Sequence, residues 1–309
     1  MSYNIVPLST ENIKDLTYLY KHVFGNNMSI DMVKKKFDTD HLGVSYFGHL
    51  AYENKKPVAF HGAIPVLMKY NGLTELAAQY GDAMTMPGHT GKGLFTKLGK
   101  YTDQQLKKAG IKFVWGFPNQ NSEYGYLNKL DWKYKERMLG YTIKTSFFPF
   151  GKVVSKFDFT KNIYDKRVRD IFSDYITKNK ISGSVFKDFN CVSTSRDQSY
   201  YDYKSHTGNF TIDIDGVLFW IKIKNDLLVG DIEASDEALF YQALKKLKSL
   251  AYKSGIMTIT FQASPNTQIA KLLHSQAEAF SSWIVGFKNF SSSFPLEELK
   301  LTFGDLDTF

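Results

Sequence analysis

Three glycines directly before a helical pattern are the residues of this sequence most suited to chemistry. In "MTMPGHTGKGLFTKLGKY" (84–101) they are Gly88, Gly91 and Gly93, and a lysine-bearing amphipathic segment follows at once. The first N–H groups of a helix have no intrahelical acceptor and lie at the positive end of its dipole, so they favour a bound anion. Glycine lets the backbone approach that anion closely. The stretch therefore predicts an anion site, and phosphate is the expected anion.

Two common phosphate-binding motifs do not match this spacing. A P-loop has four residues between its first glycine and the Gly-Lys pair, whereas only two residues separate Gly88 from Gly91 here. A dinucleotide-binding fingerprint that began at Gly91 would need a third glycine where Thr96 stands, and it would follow the first strand of a βαβ unit. Since a hairpin pattern precedes this turn, the elements around it must decide which ligand it serves.

The composition is that of a globular protein with an excess of basic residues. The 309 residues, 43% of them hydrophobic, suggest about two domains with substantial cores. No apolar run approaches the ~20 residues of a membrane helix, no secretory signal is recognisable, and the single cysteine, Cys191, fits a reducing compartment. We therefore expect a cytoplasmic protein without a membrane partner. The net charge of +8 is scattered, and the one dense cluster, 34–36, is interpreted as a solvated helix face.

The first 150 residues predict a mixed sheet flanked by helices. "NIVPLS" is typical of a strand, and two helices follow, the first capped by Thr10 and the second beginning after Ser29. Three antiparallel strands come next, with a tight hairpin at Asn71-Gly72. The glycine turn then leads into a helix from about Gly93 to Ala109, with Leu94, Leu98, Tyr101 and Leu106 expected to face inward. A buried strand, "IKFVWGF", a short helix and a further strand close this segment.

A similar order of patterns returns from residue 208 onward. Three strands, a helix capped by Ser235, and the strand "IMTITFQ" follow one another. "KKAGIKFVWGFPN" and "AYKSGIMTITFQASPN" both run from a helix through a glycine and an apolar strand to Pro-Asn, which favours an internal duplication. The second copy lacks the glycine turn. We therefore predict a first domain at 1–150, a connecting segment at 151–207 and a related second domain at 208–309.

The element order around the glycine turn resembles the acyl-CoA site of the GNAT acyltransferase superfamily. That family's signature is Gln/Arg-x-x-Gly-x-Gly/Ala, and "TGKGLF" corresponds to it, with Thr90, Gly93 and Phe95 in the three signature places. "DAMTMPGHTGKGLFTKL" and "WGFPNQNSEYGYLNKLDW" are similar to GNAT branches with an R-G-K-G-L-F turn. The whole chain resembles bacterial double-GNAT proteins with a degenerate second half. The resemblance implies an α/β (α+β) fold with a mixed, mostly antiparallel central sheet and two tandem GNAT-like domains, the first of which binds acyl-CoA.

The resemblance also implies where acetyl-CoA, or another acyl-CoA, would bind as co-substrate. Backbone amides between Thr90 and Phe95 would hold its diphosphate. The pantetheine would pair with the main chain of 84–86, where the fourth and fifth strands separate. The predicted cofactor-binding residues are Met84, Thr85, Met86, Thr90, Gly91, Lys92, Gly93, Leu94, Phe95, Thr96, Asn119 and Ser122. The histidines show no metal-ligand spacing, so no metal is expected.

Transfer of an acyl group from a thioester to an amine needs a base for the amine and an acid for the leaving thiolate. Asp82, on the fourth strand just before the glycine turn, is the predicted base. The usual GNAT tyrosine acid corresponds to Leu127 in this register, so Tyr126 or Tyr124 is predicted to act from a shifted helix. His61, on the third strand, is expected to be a core or cleft-lining histidine.

The function implied is N-acyltransfer from acyl-CoA to a small-molecule amine. Sugar amines, amino acids, peptides and polyamines all stay open as acceptors. Two alternatives stay open beside it. One is a Fem-type aminoacyltransferase that uses charged tRNA, which the basic charge permits. The other is a non-catalytic CoA-sensing module, which is favoured by Leu127 in the place of the usual tyrosine acid. A nucleic-acid partner is expected only under the first alternative, where it is tRNA.

Overall fold

The computed structural model describes residues 2–146, 158–181 and 190–309, and the chain forms two compact units. Unit 1 consists of Met1–Glu136 with Trp283–Leu299, and unit 2 consists of Arg137–Ser282 with Lys300–Phe309. Each unit is thus built from two separate pieces of chain, whereas the predicted segments 1–150, 151–207 and 208–309 are continuous. The assignment of functions to those segments stays a prediction. Part of the predicted connecting segment lies outside the described residues.

The described residues form thirteen strands and eight α-helices. The strands are β1 (Asn4–Pro7), β2 (Phe47–Glu53), β3 (Lys56–Tyr70), β4 (Leu73–Thr85), β5 (Phe113–Gly116), β6 (Lys133–Lys144), β7 (Ile176–Thr177), β8 (Ser193–Thr194), β9 (Asn209–Ile214), β10 (Val217–Ile223), β11 (Leu227–Glu233), β12 (Thr258–Ala263) and β13 (Ala279–Asn289). The helices are α1 (Lys14–Leu19), α2 (Ile30–Phe37), α3 (Leu94–Lys108), α4 (Glu123–Lys129), α5 (Asp158–Phe172), α6 (Gln198–Lys204), α7 (Glu237–Lys253) and α8 (Gln268–His274). None of these helices combines the length and the apolar character that crossing a bilayer requires.

The sheet of unit 1 runs in the order β1-β2-β3-β4-β5 and ends with the part of β13 that belongs to this unit. Its neighbours are antiparallel except β4 and β5, which pair in parallel from Ala78↔Val114 to Tyr80↔Gly116. The crossover helix α3 joins these two strands, as a parallel pair requires. The predicted mixed, mostly antiparallel sheet is therefore confirmed.

Local sequence rules account for several boundaries in unit 1. The hairpin between β3 and β4 turns at Asn71 and Gly72, which both have positive φ (47° and 76°), as a type I′ turn demands. Ser29 caps α2 by accepting a hydrogen bond from the Met32 amide, as predicted. The predicted cap at Thr10 is wrong: α1 begins at Lys14 without a side-chain cap.

Helix α3 follows the predicted range closely and packs on the sheet through Leu94, Leu98 and Leu106, which are buried. Tyr101 was expected on the same face but is 42% exposed, so that expectation is wrong. Its ring instead lies beside His49, with the ring centroids 5.7 Å apart. The apolar stripe of α3 is therefore narrower than the sequence pattern suggests.

Unit 2 has a sheet in the order β6-β12-β11-β10-β9-β7. Strands β9, β10 and β11 are antiparallel, α7 crosses over, and β12 then pairs with β11 in parallel. This is the order of β2, β3, β4, α3 and β5 in unit 1, and the predicted duplication stays a prediction. The helix α7 is capped by Asp236, which accepts from the Leu239 amide, and not by Ser235 as predicted. Asp236 has the extended backbone that an N-cap needs, one residue further along.

The C-terminal segment of unit 2, residues 300–309, occupies the place where β11 and β12 separate. The parallel pairing of these strands ends at Val229↔Phe261, and Thr302 then bridges to Ala263. The segment is held by buried cations: Arg196 donates to Thr302 and Asp305, Lys204 donates to the Leu306 carbonyl, and Lys222 donates to the Thr308 carbonyl. The ring of Phe309 fills the space that a side chain at Gly230 would need.

Candidate functional site

A β-bulge on β4 opens the sheet of unit 1. The β3–β4 register passes from Gly62↔Gly81 to Phe60↔Met84, so two residues of β4, at 82 and 83, oppose one residue of β3. Asp82 takes up the extra length in a left-handed conformation (φ 57°), which aspartate tolerates better than most residues. Since parallel pairing with β5 ends just before the bulge, the following residues of β4 present an edge that β5 does not cover.

A cleft of about 900 Å³ lies at this opening, and all of its lining residues belong to unit 1. It is bounded by the bulge of β4, the glycine turn, the first residues of α3, the loop after β5, and α4. The structure brings the following predicted site residues together in its wall: Asp82, Thr85, Thr90, Gly91, Gly93, Leu94, Phe95, Thr96, Asn119, Ser122, Tyr124 and Tyr126. It leaves three predicted residues outside that wall: Met84, Met86 and Lys92.

The start of α3 is built as an open anion site. Gly91 and Gly93 have φ near 75°, a region that favours glycine, and no atom lies within 4 Å of where their Cβ atoms would be. Gly93 is the N-cap residue and supplies no side-chain cap. Within the described residues, the amides from Gly93 to Thr96 donate to no backbone carbonyl. The N–H groups point out of the N-terminal end of α3, which is the positive end of the helix dipole, so the dipole adds to their attraction for an anion.

Phe95 does not close this site. Its ring packs inward against α4, so tightly that a Cβ on Gly125 would lie 2.5 Å from the ring edge. It also contacts the rings of His61 and Tyr126, with ring centroids 5.3 and 5.0 Å away. A glycine in α4 thus allows the bulky residue at the third signature place to lie in the core and leaves the turn accessible.

The exposed edge of β4 is supplied by Thr85. The Met86 amide donates to the Val58 carbonyl at 2.8 Å, towards β3. Main-chain groups of a strand point alternately to its two sides, so the N–H and C=O of Thr85 are directed to the opposite side, where the cleft lies. The main chains of Met84 and Met86 are directed towards β3 by the same alternation, so Thr85 is the residue of 84–86 whose main chain faces the cleft. The role of 84–86 in binding pantetheine stays a prediction.

Asp82 is already paired. Its carboxylate lies 2.6 Å from Nζ of Lys36 and accepts a hydrogen bond from the Tyr20 hydroxyl at 2.5 Å. The Lys36 and Asp82 side chains are only 6% and 9% exposed, so solvent screens the pair weakly. A cation and a donor at these distances stabilise the charged form of a carboxylate. Asp82 is therefore held ionised at the cleft wall, which makes it a weaker proton acceptor than a lone carboxylate.

Tyr126 and Tyr124, the two candidate acids, have different surroundings. Tyr126 is 5% exposed, and its hydroxyl lies 3.3 Å from Nε2 of His61. Tyr124 is 65% exposed, with the Lys129 ammonium 5.7 Å from its ring centre. Burial, together with the nearby His49, lowers the pKa of His61 to about 3, so its imidazole is neutral. Tyr126 therefore has a fixed, neutral partner, whereas Tyr124 lies on the exposed rim.

Asn119 and Ser122 build the turn after β5. The Asn119 amide donates to the Ser122 hydroxyl at 3.1 Å, and the Ser122 amide donates to the Asn119 carbonyl at 2.9 Å. The Asn119 side chain accepts from the Asn121 amide at 2.9 Å. Both residues line the cleft, but their side chains already satisfy the turn that precedes α4. Their role as ligands stays a prediction.

Two residues of the site were missed or misjudged from the sequence. Lys36 was interpreted as part of a solvated face, but it is 5% exposed and reaches Asp82. It lies three residues after Val33 and one before Phe37, both buried, and that helical spacing was the available signal. Tyr20 carried no comparable signal, since its partner Asp82 is distant in sequence. His61, expected to be a core or cleft-lining histidine, is 1% exposed and lies in the core. Among the described residues, no group of three or more His, Cys, Asp or Glu is arranged to hold a metal ion.

Comparison with known proteins matches residues 4–135 to a family model described as an acetyltransferase (GNAT) domain. A GCN5-related N-acetyltransferase from Kribbella flavida is similar in structure, with a TM-score of 0.62 and 14% identity over 93% of this chain and 71% of that chain. One from Anabaena variabilis ATCC 29413 gives 0.57 and 13% over 93% and 73%. Eis1 from Mycobacterium abscessus gives 0.53 and 9% over 92% and 73%. No curated protein matches the sequence. At these identities the similar structures show the fold, which agrees with the predicted one.

Proposed function

We propose that this protein is an N-acyltransferase that uses acyl-CoA and an amine acceptor, because residues 4–135 match the family model of a GNAT acetyltransferase domain. The observation that carries the proposal is the combination of two unpaired backbone surfaces in one cleft. The amides at the start of α3 suit a diphosphate, and the uncovered main chain of Thr85 suits a peptide-like pantetheine arm. CoA contains both groups in one molecule.

With CoA bound to these two surfaces, the reacting thioester would lie near the bulge of β4. A pantetheine that follows β4 away from the glycine turn leads towards Asp82, which lies three residues before Thr85. The acceptor amine reaches the thioester carbon as a free base, so its ammonium form has to lose a proton first. In this proposal the charged carboxylate of Asp82 holds the acceptor and helps to pass that proton to water, because Lys36 and Tyr20 keep it ionised.

Tyr126 is proposed as the acid that protonates the departing thiolate. It lines the cleft from α4, and its hydroxyl is fixed at His61. Tyr124 is a less suitable acid because its exposed side chain is free to move away from the reacting atoms. The open glycine turn favours acyl-CoA over charged tRNA as the donor, since it matches a compact diphosphate.

The proposal is tested by ligand-induced thermal stabilisation. Acetyl-CoA and longer acyl-CoAs should raise the melting temperature, because a ligand that binds only the native state stabilises it by about 2.7 kcal/mol at a hundredfold excess over Kd. Gly93→Glu should abolish the shift, since it adds a negative charge where the diphosphate binds.

Gly72→Glu is the matched control for this experiment. Gly72 also has positive φ and open space around its Cβ position, but it lies at the β3–β4 hairpin and not in the cleft. Its backbone strain should therefore equal that of Gly93→Glu while the shift with acyl-CoA is retained. Absence of any shift with wild-type protein, or of CoA release with a panel of amines, would reject the proposal.

A further inference from the structure

His61 is a buried titratable residue that the reaction as described above does not use. It lies on β3 opposite the bulge of β4 and is 1% exposed. Its Nε2 is 3.3 Å from the Tyr126 hydroxyl, and its Nδ1 has no hydrogen-bond partner among the described residues. A buried polar ring with one satisfied and one unsatisfied nitrogen is uncommon and calls for a physical explanation.

The unsatisfied Nδ1 decides which tautomer is favoured. The neutral imidazole carries one proton, either on Nδ1 or on Nε2. A proton on Nδ1 would be a buried donor without an acceptor. The lone pair of Nε2 would then accept a hydrogen bond from the Tyr126 hydroxyl. A proton on Nε2 instead leaves only a bare lone pair at Nδ1, which is less costly than an orphaned N–H. The environment therefore favours the tautomer that donates from Nε2 to the Tyr126 oxygen.

We propose that His61 is a positioning residue that turns Tyr126 into the acid of the reaction. When Nε2–H donates to the tyrosine oxygen, the hydroxyl hydrogen of Tyr126 is not committed to His61 and can be directed to the cleft that Tyr126 lines. The proposal rests on the acyltransferase function proposed above. In this proposal the buried His61 determines the direction in which the hydroxyl hydrogen of Tyr126 points. No local sequence pattern around His61 indicates such a role.

When the tetrahedral adduct collapses, the carbon–sulfur bond breaks and its electron pair goes to sulfur. Tyr126 gives its proton to that sulfur, so CoA leaves as a thiol. The tyrosine oxygen keeps the electron pair and is stabilised as a phenolate by the hydrogen bond from His61. The proton that the amine lost to water later restores the hydroxyl.

The other ionisable groups near this pair are engaged elsewhere. Tyr80, which packs edge-on against His61, donates its hydroxyl to Asp103, and its pKa is raised well above the usual value by burial. The Lys288 ammonium forms an ion pair with the Asp103 carboxylate, with Nζ 2.8 Å from Oδ2. His49 bonds to Thr102 and its pKa is lowered to about 4 by burial, so it too is neutral. Among these side chains, His61 is the one that hydrogen-bonds to the Tyr126 hydroxyl.

The tautomer itself can be measured without any catalysis. We expect the ¹⁵N NMR shifts of the His61 ring, assigned by difference with His61→Gln, to show a protonated Nε2 and a bare Nδ1 from pH 5 to pH 9. A proton on Nδ1, or an imidazolium in this range, would overturn the proposal even if acyltransfer were never detected. Failure of the proposed function is thus separable from failure of this inference.

The catalytic consequence is tested with two substitutions. His61→Phe removes the donor and should lower kcat about 10- to 100-fold, with the KM for acyl-CoA unchanged. The alkaline limb of the pH–kcat profile of this variant should move to higher pH, because the Tyr126 phenolate loses the hydrogen bond from His61 that stabilises it. His61→Gln keeps an N–H donor of similar reach and should recover most of kcat.

Two further variants separate positioning from simple packing. His49→Phe replaces a second buried histidine that does not bond to Tyr126, and it should leave the pH profile in place. His61→Phe combined with Tyr126→Phe should be no slower than Tyr126→Phe alone, because both changes remove one function. Additive losses, or an unchanged alkaline limb in His61→Phe, would contradict the role assigned to His61.

Discussion

At the scale of single residues, the chemistry of the cleft depends on partners that come from other elements. Asp82 meets Lys36 of α2 and Tyr20 of the turn after α1, and Tyr126 of α4 meets His61 of β3. A lone carboxylate in this place would be a stronger base but would be neutralised more easily on burial. The ion pair with Lys36 stabilises the charged form of Asp82 in the wall of the cleft.

The role of Asp82 can be tested by removing its charge. Asp82→Asn keeps the shape of the side chain but cannot hold a cationic amine, so kcat/KM for the acceptor should fall about 100-fold or more while the KM for acyl-CoA is unchanged. Steady-state kinetics with each substrate varied in turn checks this. Glu75→Gln is the control on the same strand, because Ser292 and Ser293 hold that carboxylate and it does not line the cleft. Equal losses in both variants would contradict the assignment.

At the scale of elements, the packing of α3 on α4 decides whether the glycine turn is accessible. Phe95 stands where the family signature has a small residue, and it fits only because Gly125 leaves room for its ring. Gly99 of α3 is packed just as closely, since a Cβ there would lie 2.6 Å from Leu130. The two glycines thus bring the helices together at two points, of which only the first borders the cleft.

Substitution of these glycines should separate stability from ligand binding. Gly125→Ala would push the Phe95 ring towards the turn, so we expect the KM for acyl-CoA to rise about tenfold, together with a lower melting temperature from overpacking. Gly99→Ala should lower the melting temperature by a similar amount and leave that KM unchanged. Thermal unfolding and initial-rate measurements on both variants check the prediction, and a raised KM in Gly99→Ala would show that general loosening is the cause.

At the scale of the whole molecule, two units with the same strand order differ at the place where ligand is expected. In unit 1 the opening beside β4 is a cleft with an uncapped helix start. In unit 2 the corresponding opening beside β11 is filled by residues 300–309, and the carboxylate of Asp236 caps α7. A phosphate at that helix start would meet a negative charge and occupied space. Within the described residues, the features on which the proposed acyl-CoA site depends therefore occur in unit 1 alone.

This asymmetry predicts the stoichiometry of binding. Titration calorimetry should give one equivalent of acyl-CoA per chain, and Gly93→Glu should remove all binding and not half of it. The reason is that in unit 2 the Asp236 carboxylate caps the helix start and residues 300–309 fill the space that pantetheine would need. Two equivalents in the wild-type protein, or one remaining in Gly93→Glu, would show that unit 2 binds the ligand as well.

Much of this fold could be predicted because the rules involved act between near neighbours in sequence. The hairpin at Asn71-Gly72, the cap at Ser29 and the helix after Gly93 all depend on residues within about one turn of each other. The anion site at the start of α3 belongs to the same class, since free amides and glycine are local properties. The error at Ser235 is a cap displaced by one residue, whereas the helix expected after Thr10 begins at Lys14 without a side-chain cap.

What only the tertiary structure decided are the contacts that packing creates between distant residues. Tyr20 and Asp82 are separated by 62 positions, and His61 and Tyr126 by 65. No periodicity predicts such pairs, because each depends on how the bulge in β4 and the helices beside it turn two side chains towards each other. The completion of unit 1 by residues 283–299, and of unit 2 by its own C-terminus, is of the same kind. The amino-acid sequence alone determined where the uncapped, glycine-rich helix start lies, and packing determined which side chains are next to it.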